Sequence, residues 1–329
     1  MTLKRVASIT LAVLFSVTSA CTKPQAETSG PTGKSSPAAS ASPQNQPADL
    51  DNELAQRLKA ICDRTDGTVA LSVVHIESGK SISINGKSKL ALYSVFKLPV
   101  AIGVLKEIEE NRLKLDHKVH VTPSELVPGT PWNDALWQKP VDRTVAELIE
   151  FSIARSDNTS TDKLLQLVGG ARAVNERIRS LGFQNLDIHS STAEYLKTRA
   201  NPNTGAADDL TQLLVQLHEG KILQSSQQNL LIGFMQRANT GLRRLRGDLP
   251  AGTLVADKTG SGELDEATRA PKATNDVGLI RLPSNRGNLA IAVLVNNSKL
   301  NHASQEKLIA DIARAAYDFF VLDRSNRRG

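Results

Sequence analysis

What most constrains the fold is where the strand-forming runs lie. Residues 68–76 are β-branched and apolar and residues 81–84 alternate, with Glu77-Ser78-Gly79-Lys80 between them as the turn of a hairpin. The remaining strand runs, 253–258, 276–282 and 289–295, come near the other end, the last two joined by the turn Pro283-Ser284-Asn285-Arg286-Gly287. Between these groups the apolar residues follow the helical period, over 94–111, 144–154, 160–167, 171–181, 206–219 and 226–238, with Gly182 and Gly220 as stops. An amphipathic helix over about 50–64 opens the folded part and one over about 305–322 closes it. Such an order predicts an α+β (α/β sandwich) fold. An antiparallel sheet of about five strands, drawn from both chain ends, packs with the terminal helices, and an all-helical subdomain is inserted between them. The α/β part then covers about 49–92 and 228–325, the helical part about 93–227, and a cleft is expected at their junction.

Composition narrows the function classes. With 329 residues and 40% hydrophobic content, the chain buries a substantial core without staples. The net charge of +6 does not single out a nucleic-acid partner, because acids and bases are interspersed and aromatics, at 4%, are too few for base-stacking platforms. His75, His117, His120 and His189 show no ligand spacing with Cys or Glu, so no metal site is expected.

The start of the chain is expected to be a targeting segment. Lys4 and Arg5 precede an apolar stretch from Ile9 to Val17 and the small residues Thr18, Ser19 and Ala20, which makes residues 1–20 a secretory signal. Cys21 follows directly, and the junction resembles the lipobox of bacterial lipoproteins, although Thr18 stands where Leu is usual. That resemblance implies export to the periplasm or cell envelope and a lipid anchor at Cys21; an ordinary secretory signal is the alternative. Residues 21–48, rich in Ser, Pro, Ala and Gln, are expected to be a disordered linker to a catalytic domain over 49–325. Cys62 is then a buried apolar filler on the first helix, with no disulfide expected.

Three short motifs carry the chemistry. Ser94-Val95-Phe96-Lys97 opens the first helix of the middle region, and the three-residue offset puts Ser94 and Lys97 on one face. A serine hydroxyl is a weak nucleophile until a base takes its proton, and a desolvated lysine is such a base. Ser156-Asp157-Asn158 lies between two helices, where it reads equally well as a helix cap. Lys258-Thr259-Gly260-Ser261-Gly262 ends a strand whose preceding residues look buried. Each motif alone is weak. Together and in this order they resemble the class A β-lactamase family, within the serine β-lactamase and penicillin-binding protein superfamily.

The resemblance extends over nearly all of residues 50–322, including Thr144-Val145-Ala146-Glu147-Leu148 and the stretch from Asn239 through Arg244 to Pro250. It implies a β-lactamase needing no cofactor, acting on small-molecule β-lactams as a monomer. Under it Ser94 attacks the lactam carbonyl, Lys97 assists its deprotonation, and Ser156 relays a proton to the ring nitrogen with Lys258 polarising that hydroxyl. Asn158 holds the substrate side-chain amide, and backbone N–H groups of Ser94 and Ser261 hold the oxyanion. Lys258, Thr259 and Arg244 seat the substrate carboxylate, and Trp132 falls at the cleft rim.

One departure bears on function. The family's deacylating carboxylate belongs to a Glu-x-x-Leu-Asn stretch, whereas this chain reads Ser190-Ser191-Thr192-Ala193-Glu194-Tyr195-Leu196-Lys197 in a shorter loop. Glu194 is the only carboxylate between His189 and Asp208, which makes it the local candidate to activate water or else a surface residue. Two alternatives to a β-lactamase therefore stand: a penicillin-binding protein that traps the acyl group as a sensor, and a D-Ala-D-Ala peptidase-like serine hydrolase.

Overall fold

A computed structural model describes residues 47–322. The expected leader, the Cys21 anchor and nearly all of the expected linker lie outside the described residues.

In chain order, helix α1 (Pro47–Cys62) precedes strands β1 (Thr68–His75), β2 (Ser81–Ile84) and β3 (Lys89–Ala91), and a 3-10 turn (Tyr93–Phe96) leads into α2 (Lys97–Glu109). Next come β4 (Lys118–Val121), the single-turn α3 (Pro131–Asp134), β5 (Val141–Thr144), α4 (Val145–Ala154), α5 (Asn158–Leu167) and α6 (Gly170–Ser180). The short elements β6 (Leu186–Asp187), α7 (Thr192–Thr198) and β7 (Thr204–Ala206) lead to α8 (Ala207–His218) and α9 (Ser225–Gln236). Strands β8 (Val255–Ser261), β9 (Ala273–Arg281) and β10 (Asn288–Asn296) return to the sheet before α10 (His302–Leu322).

The main sheet has five strands in the order β2-β1-β10-β9-β8, with every neighbouring pair antiparallel, as the placement of the strand runs predicts. Its two faces divide the core by the two-residue period of a strand. Val69, Leu71 and Val73 of β1 and Leu289, Ile291, Val293 and Val295 of β10 pack with α1 and α10. The alternate residues Ala70, Val74, Ala290, Ala292 and Leu294 face α8 and the helical region, where α2 and α4 supply Leu98, Ile102, Leu148 and Ile149. On that inner face Ser72 hydrogen-bonds Thr211 of α8 at 2.8 Å, which satisfies two hydroxyls the core would otherwise leave unpaired. Cys62 is buried in the α1–α10 layer, as a filler there should be.

Three expectations are corrected. The inserted region is mainly but not wholly helical: it carries the antiparallel pair β4–β5, and its strands β6 and β7 form a three-stranded sheet with β3. Ser94 does not begin the α-helix: it lies in the 3-10 turn, and the α-helix starts at Lys97. The strand carrying the third motif does not stop at Lys258 but runs to Ser261, because Thr259, Gly260 and Ser261 continue the ladder opposite Asp276, Asn275 and Thr274. Only glycine fits at position 260, where a Cβ would lie 2.3 Å from the Leu92 carbonyl oxygen, so β8 and the turn bearing Ser94 meet backbone to backbone.

Candidate active site

The three motifs converge from three parts of the chain. Ser156 sits between α4 and α5 with φ of 57°, a left-handed conformation that costs a non-glycine residue about 1 kcal/mol or more. Two lysines hold it there. Lys97 Nζ donates to the Ser156 carbonyl oxygen at 2.6 Å and lies 3.5 Å from its Oγ, while Lys258 Nζ donates to the same Oγ at 3.0 Å. The neighbouring Asp157 caps α5, its Oδ1 accepting from the Ser160 N–H at 2.7 Å and its Oδ2 from Trp137 Nε1 at 3.2 Å. The second motif therefore caps a helix and presents a hydroxyl between two ammonium groups; the two readings of its sequence are both realised.

Both lysines are fully buried, and burial disfavours charge. For Lys97 this brings the pKa down to about 8, against the opposing fields of Asp157 and Asp162. Lys258 is pushed well below its usual value by burial and then by the charge of Lys97, with Asp257 and Asp276 pulling the other way. An amine with a pKa of about 8 is about one-tenth neutral at pH 7, enough to act as a proton acceptor. Ser94 lines the cleft and its side chain makes no hydrogen bond among the described residues.

Arg244 is 3% exposed, not a solvated surface arginine. Its guanidinium donates to the carbonyl oxygens of Gly260 at 3.1 Å and Asn275 at 2.9 Å and to Ser261 Oγ at 2.6 Å, backed by Glu306 at 3.4 Å. A cation is thereby fixed at the end of β8, beside Thr259, whose Oγ1 hydrogen-bonds Thr240 at 2.7 Å. Asn158 lines the cleft with both ends of its amide engaged: Oδ1 accepts from Lys97 at 2.7 Å and Nδ2 donates to the Pro128 carbonyl oxygen at 2.7 Å.

The cleft has a volume of about 740 Å³ and is lined by Ser94, Asn158 and Ser261, by Ala193 and Tyr195 of α7, and by Glu263 just beyond β8. Ser94, Lys97, Ser156, Lys258, Asn158, Thr259, Ser261 and Arg244 are thus gathered at one place. Two candidates are not. Trp132 is 59% exposed on α3 and does not line the cleft; the indole that packs inward is Trp137, held by Asp157 and edge-on to Phe151. Glu194 is likewise exposed and outside the cleft wall. Its carboxylate accepts from the Ser191 N–H at 2.7 Å while the Ser191 hydroxyl accepts from the Glu194 N–H at 3.2 Å, a capping box at the start of α7.

Sequence reasoning missed Tyr93, Tyr195 and Glu263 on the cleft wall, and Asp162 behind it. Asp162, one helical turn after Asn158, accepts from the N–H groups of Thr192 and Ala193, both at 2.8 Å, and so ties α7 to α5. An acid among the apolar positions of α5 was the available signal. Among the described residues no group of three His, Cys, Asp or Glu side chains is placed to hold a metal ion.

Comparison with known proteins agrees with this geometry. The model of the β-lactamase enzyme family matches residues 53–320. The extended-spectrum β-lactamase PER-1 of Pseudomonas aeruginosa is 31% identical over 270 residues, covering 81% of this chain and 87% of its own. The β-lactamase VEB-1, also of Pseudomonas aeruginosa, is 28% identical over 280 residues, covering 83% and 92%. Among solved structures, a β-lactamase from Chitinophaga pinensis superposes with a TM-score of 0.78 at 33% identity, covering 81% of this chain and 99% of that one. The TLA-3 extended-spectrum β-lactamase gives 0.79 at 30% identity, covering 82% and 99%. With the matched region spanning the whole catalytic fold, the chain belongs to the class A β-lactamase family.

Proposed function

We propose that this protein is a serine β-lactamase that opens β-lactam rings through an acyl-enzyme on Ser94. The observation that carries the reading is the junction of Lys97, Ser156 and Lys258 within hydrogen-bonding distance, joined through Asn158 to the cleft that Ser94 lines. Ser94 Oγ attacks the lactam carbonyl carbon and its proton passes to neutral Lys97. Backbone N–H groups of Ser94 and Ser261 receive the oxyanion. As the carbon–nitrogen bond breaks, Ser156 gives its proton to the ring nitrogen and is replenished from the lysines on either side. Arg244, Thr259 and Lys258 seat the substrate carboxylate, while Asn158 reaches a side-chain amide by exchanging one of its two present partners. Water then cleaves the ester, releasing the ring-opened acid and restoring Ser94.

A second reading, an acyl-trapping penicillin-recognition protein, is favoured by one observation. Glu194 is committed to the capping box of α7, so the loop supplies no carboxylate toward Ser94, and deacylation is the slower half of the reaction. The test is to follow ring opening of a chromogenic cephalosporin by absorbance, with Ser94→Ala as control. Sustained Ser94-dependent turnover supports the β-lactamase, and a single stoichiometric burst supports the trap. No ring opening together with cleavage of a D-Ala-D-Ala peptide replaces both with a peptidase.

A further inference from the structure

Thr192 stands on the cleft wall with a polar group unused. It lines the cleft, and its Oγ1 is buried without a hydrogen-bond partner among the described residues. Buried hydroxyls are nearly always paired, so one left open beside a reacting centre calls for a partner that arrives with the reaction.

Asp162 lies behind it. Asn158 and Asp162 are four residues apart on α5 and so share a helix face; Asn158 reaches the cleft, and Asp162 is buried one turn further along. The Asp162 carboxylate accepts from the N–H groups of Thr192 and Ala193, both at 2.8 Å, which brings the Thr192 side chain against it. A carboxylate has about four acceptor positions, so these two bonds leave room for a further proton donor. Burial raises the Asp162 carboxyl above the usual range, while the N–H groups of Ala193 and Thr192, the nearby Thr192 hydroxyl and the Lys97 charge pull it back. The result is a better proton acceptor than an exposed aspartate, and one whose charge is felt at Lys97.

Neighbouring carboxylates are committed elsewhere. Glu194 is held in the capping box of α7, and Asp157 by its bonds to Ser160 and Trp137. Glu263 accepts from the Tyr195 hydroxyl at 3.1 Å. Burial works to raise its carboxyl, but its own backbone N–H, Tyr195 and Lys272 hold it below the usual range, which makes it the weaker base.

We propose that Thr192 and Asp162 form a relay that hydrolyses the acyl-enzyme in place of a loop glutamate: Thr192 Oγ1 takes up the attacking water, and Asp162 receives the proton. This rests on the β-lactam reading of Ser94. The water oxygen bonds to the ester carbonyl carbon as one of its protons moves to Thr192 Oγ1 and the Thr192 hydroxyl proton moves to Asp162. The bond from that carbon to Ser94 Oγ then breaks, with Ser94 Oγ taking a proton from the Lys97 ammonium. Asp162 and Lys97 regain their starting states by exchange with solvent. Thr192 touches the water and is the catalytic residue, and Asp162 acts through it.

The test loads the whole protein with a penicillin, removes the excess and follows loss of the Ser94 adduct by intact mass. Thr192→Val keeps the shape and removes the hydroxyl; it is expected to slow clearance about 100-fold, the size of a general-base contribution, and Thr192→Ser to restore it to within about five-fold. In the unsubstituted protein clearance should quicken with rising pH as Asp162 loses its proton. Asp162→Asn should be as slow as Thr192→Val, with that dependence gone. Clearance by Thr192→Val at the unsubstituted rate overturns the relay, as does an Asp162→Asn variant that is slow but keeps the pH dependence. Slow clearance of Thr192→Val together with faster hydrogen exchange over residues 192–198 assigns the effect to a loosened wall and overturns it too. An adduct that forms on Ser94 and never clears in the unsubstituted protein overturns the relay and leaves acylation standing, whereas no adduct at all removes the β-lactam reading and the relay with it.

Discussion

Replacing Lys97 by methionine should make the protein's stability respond differently to pH, and the size of that response follows from burial. The Lys97 amine falls from an ordinary 10.5 to about 8 in the folded state. Between those values the unfolded chain binds the proton that the folded chain has lost, so this residue makes stability rise with pH. At pH 7 nearly the whole penalty is present, and at pH 10 most of it is gone. With about 1.36 kcal/mol per unit, the stability of the unsubstituted protein relative to Lys97→Met should rise by roughly 2–3 kcal/mol from pH 7 to pH 10. The comparison cancels contributions of distant groups such as surface lysines, while Lys258, which the Lys97 charge pushes down, is less depressed in the variant and adds to the change in the same direction. It does not depend on the separate cost of leaving the Ser156 carbonyl and Asn158 Oδ1 without their donor, which is independent of pH. The assay is urea unfolding at several pH values in that interval. A difference that stays constant with pH would refute the claim that Lys97 is held with a depressed pKa, and with it the argument that Lys97 is partly neutral at pH 7.

Two further substitutions probe Glu194 and Asp276. Glu194→Gln should leave acylation and turnover within about two-fold, as for a surface change, while Glu194→Ala should cost about 0.5 kcal/mol of stability through the lost cap; a large fall in turnover for Glu194→Gln would return this carboxylate to the chemistry. Asp276 is fully buried, and burial followed by the charge of Asp257 raises its carboxyl well above the ordinary range. The folded state then holds a proton the unfolded chain loses, so stability should fall as pH rises above the ordinary aspartate range, and Asp276→Asn should remove that fall. Chemical denaturation of the two proteins from pH 4 to pH 7 checks the slope, and parallel curves would contradict it.

The sheet was legible in the sequence because its strands are rich in β-branched residues and its two groups lie at opposite ends of the folded region. Strand boundaries were less legible where function intrudes. Thr274 and Asn275 are polar yet buried in β9, and Asn275 earns its place by bonding the carbonyl oxygens of Ala91 and Leu92 behind the Ser94 turn. The same applies to Thr259, Gly260 and Ser261, whose composition reads as a turn although they extend β8. Motif order was enough to gather the serine and the two lysines, since each motif sits at an element boundary that the helical and strand periods locate. Glu194 shows the opposite error. Ser191-Thr192-Ala193-Glu194 is a capping-box sequence, and reading it for local structure first would have placed a short helix there and assigned the carboxylate to it. Trp132 and Trp137 differ in surroundings that no local pattern distinguishes, because the partner that selects Trp137 is Asp157, 20 residues away.

The most direct test of the central claim is intact-protein mass spectrometry after mixing with a penicillin, followed from seconds to hours beside Ser94→Ala. An adduct of the mass of the whole drug is expected on Ser94 alone, forming quickly and clearing slowly as ring-opened drug accumulates. An absent adduct, or one that forms equally on Ser94→Ala, would contradict that claim.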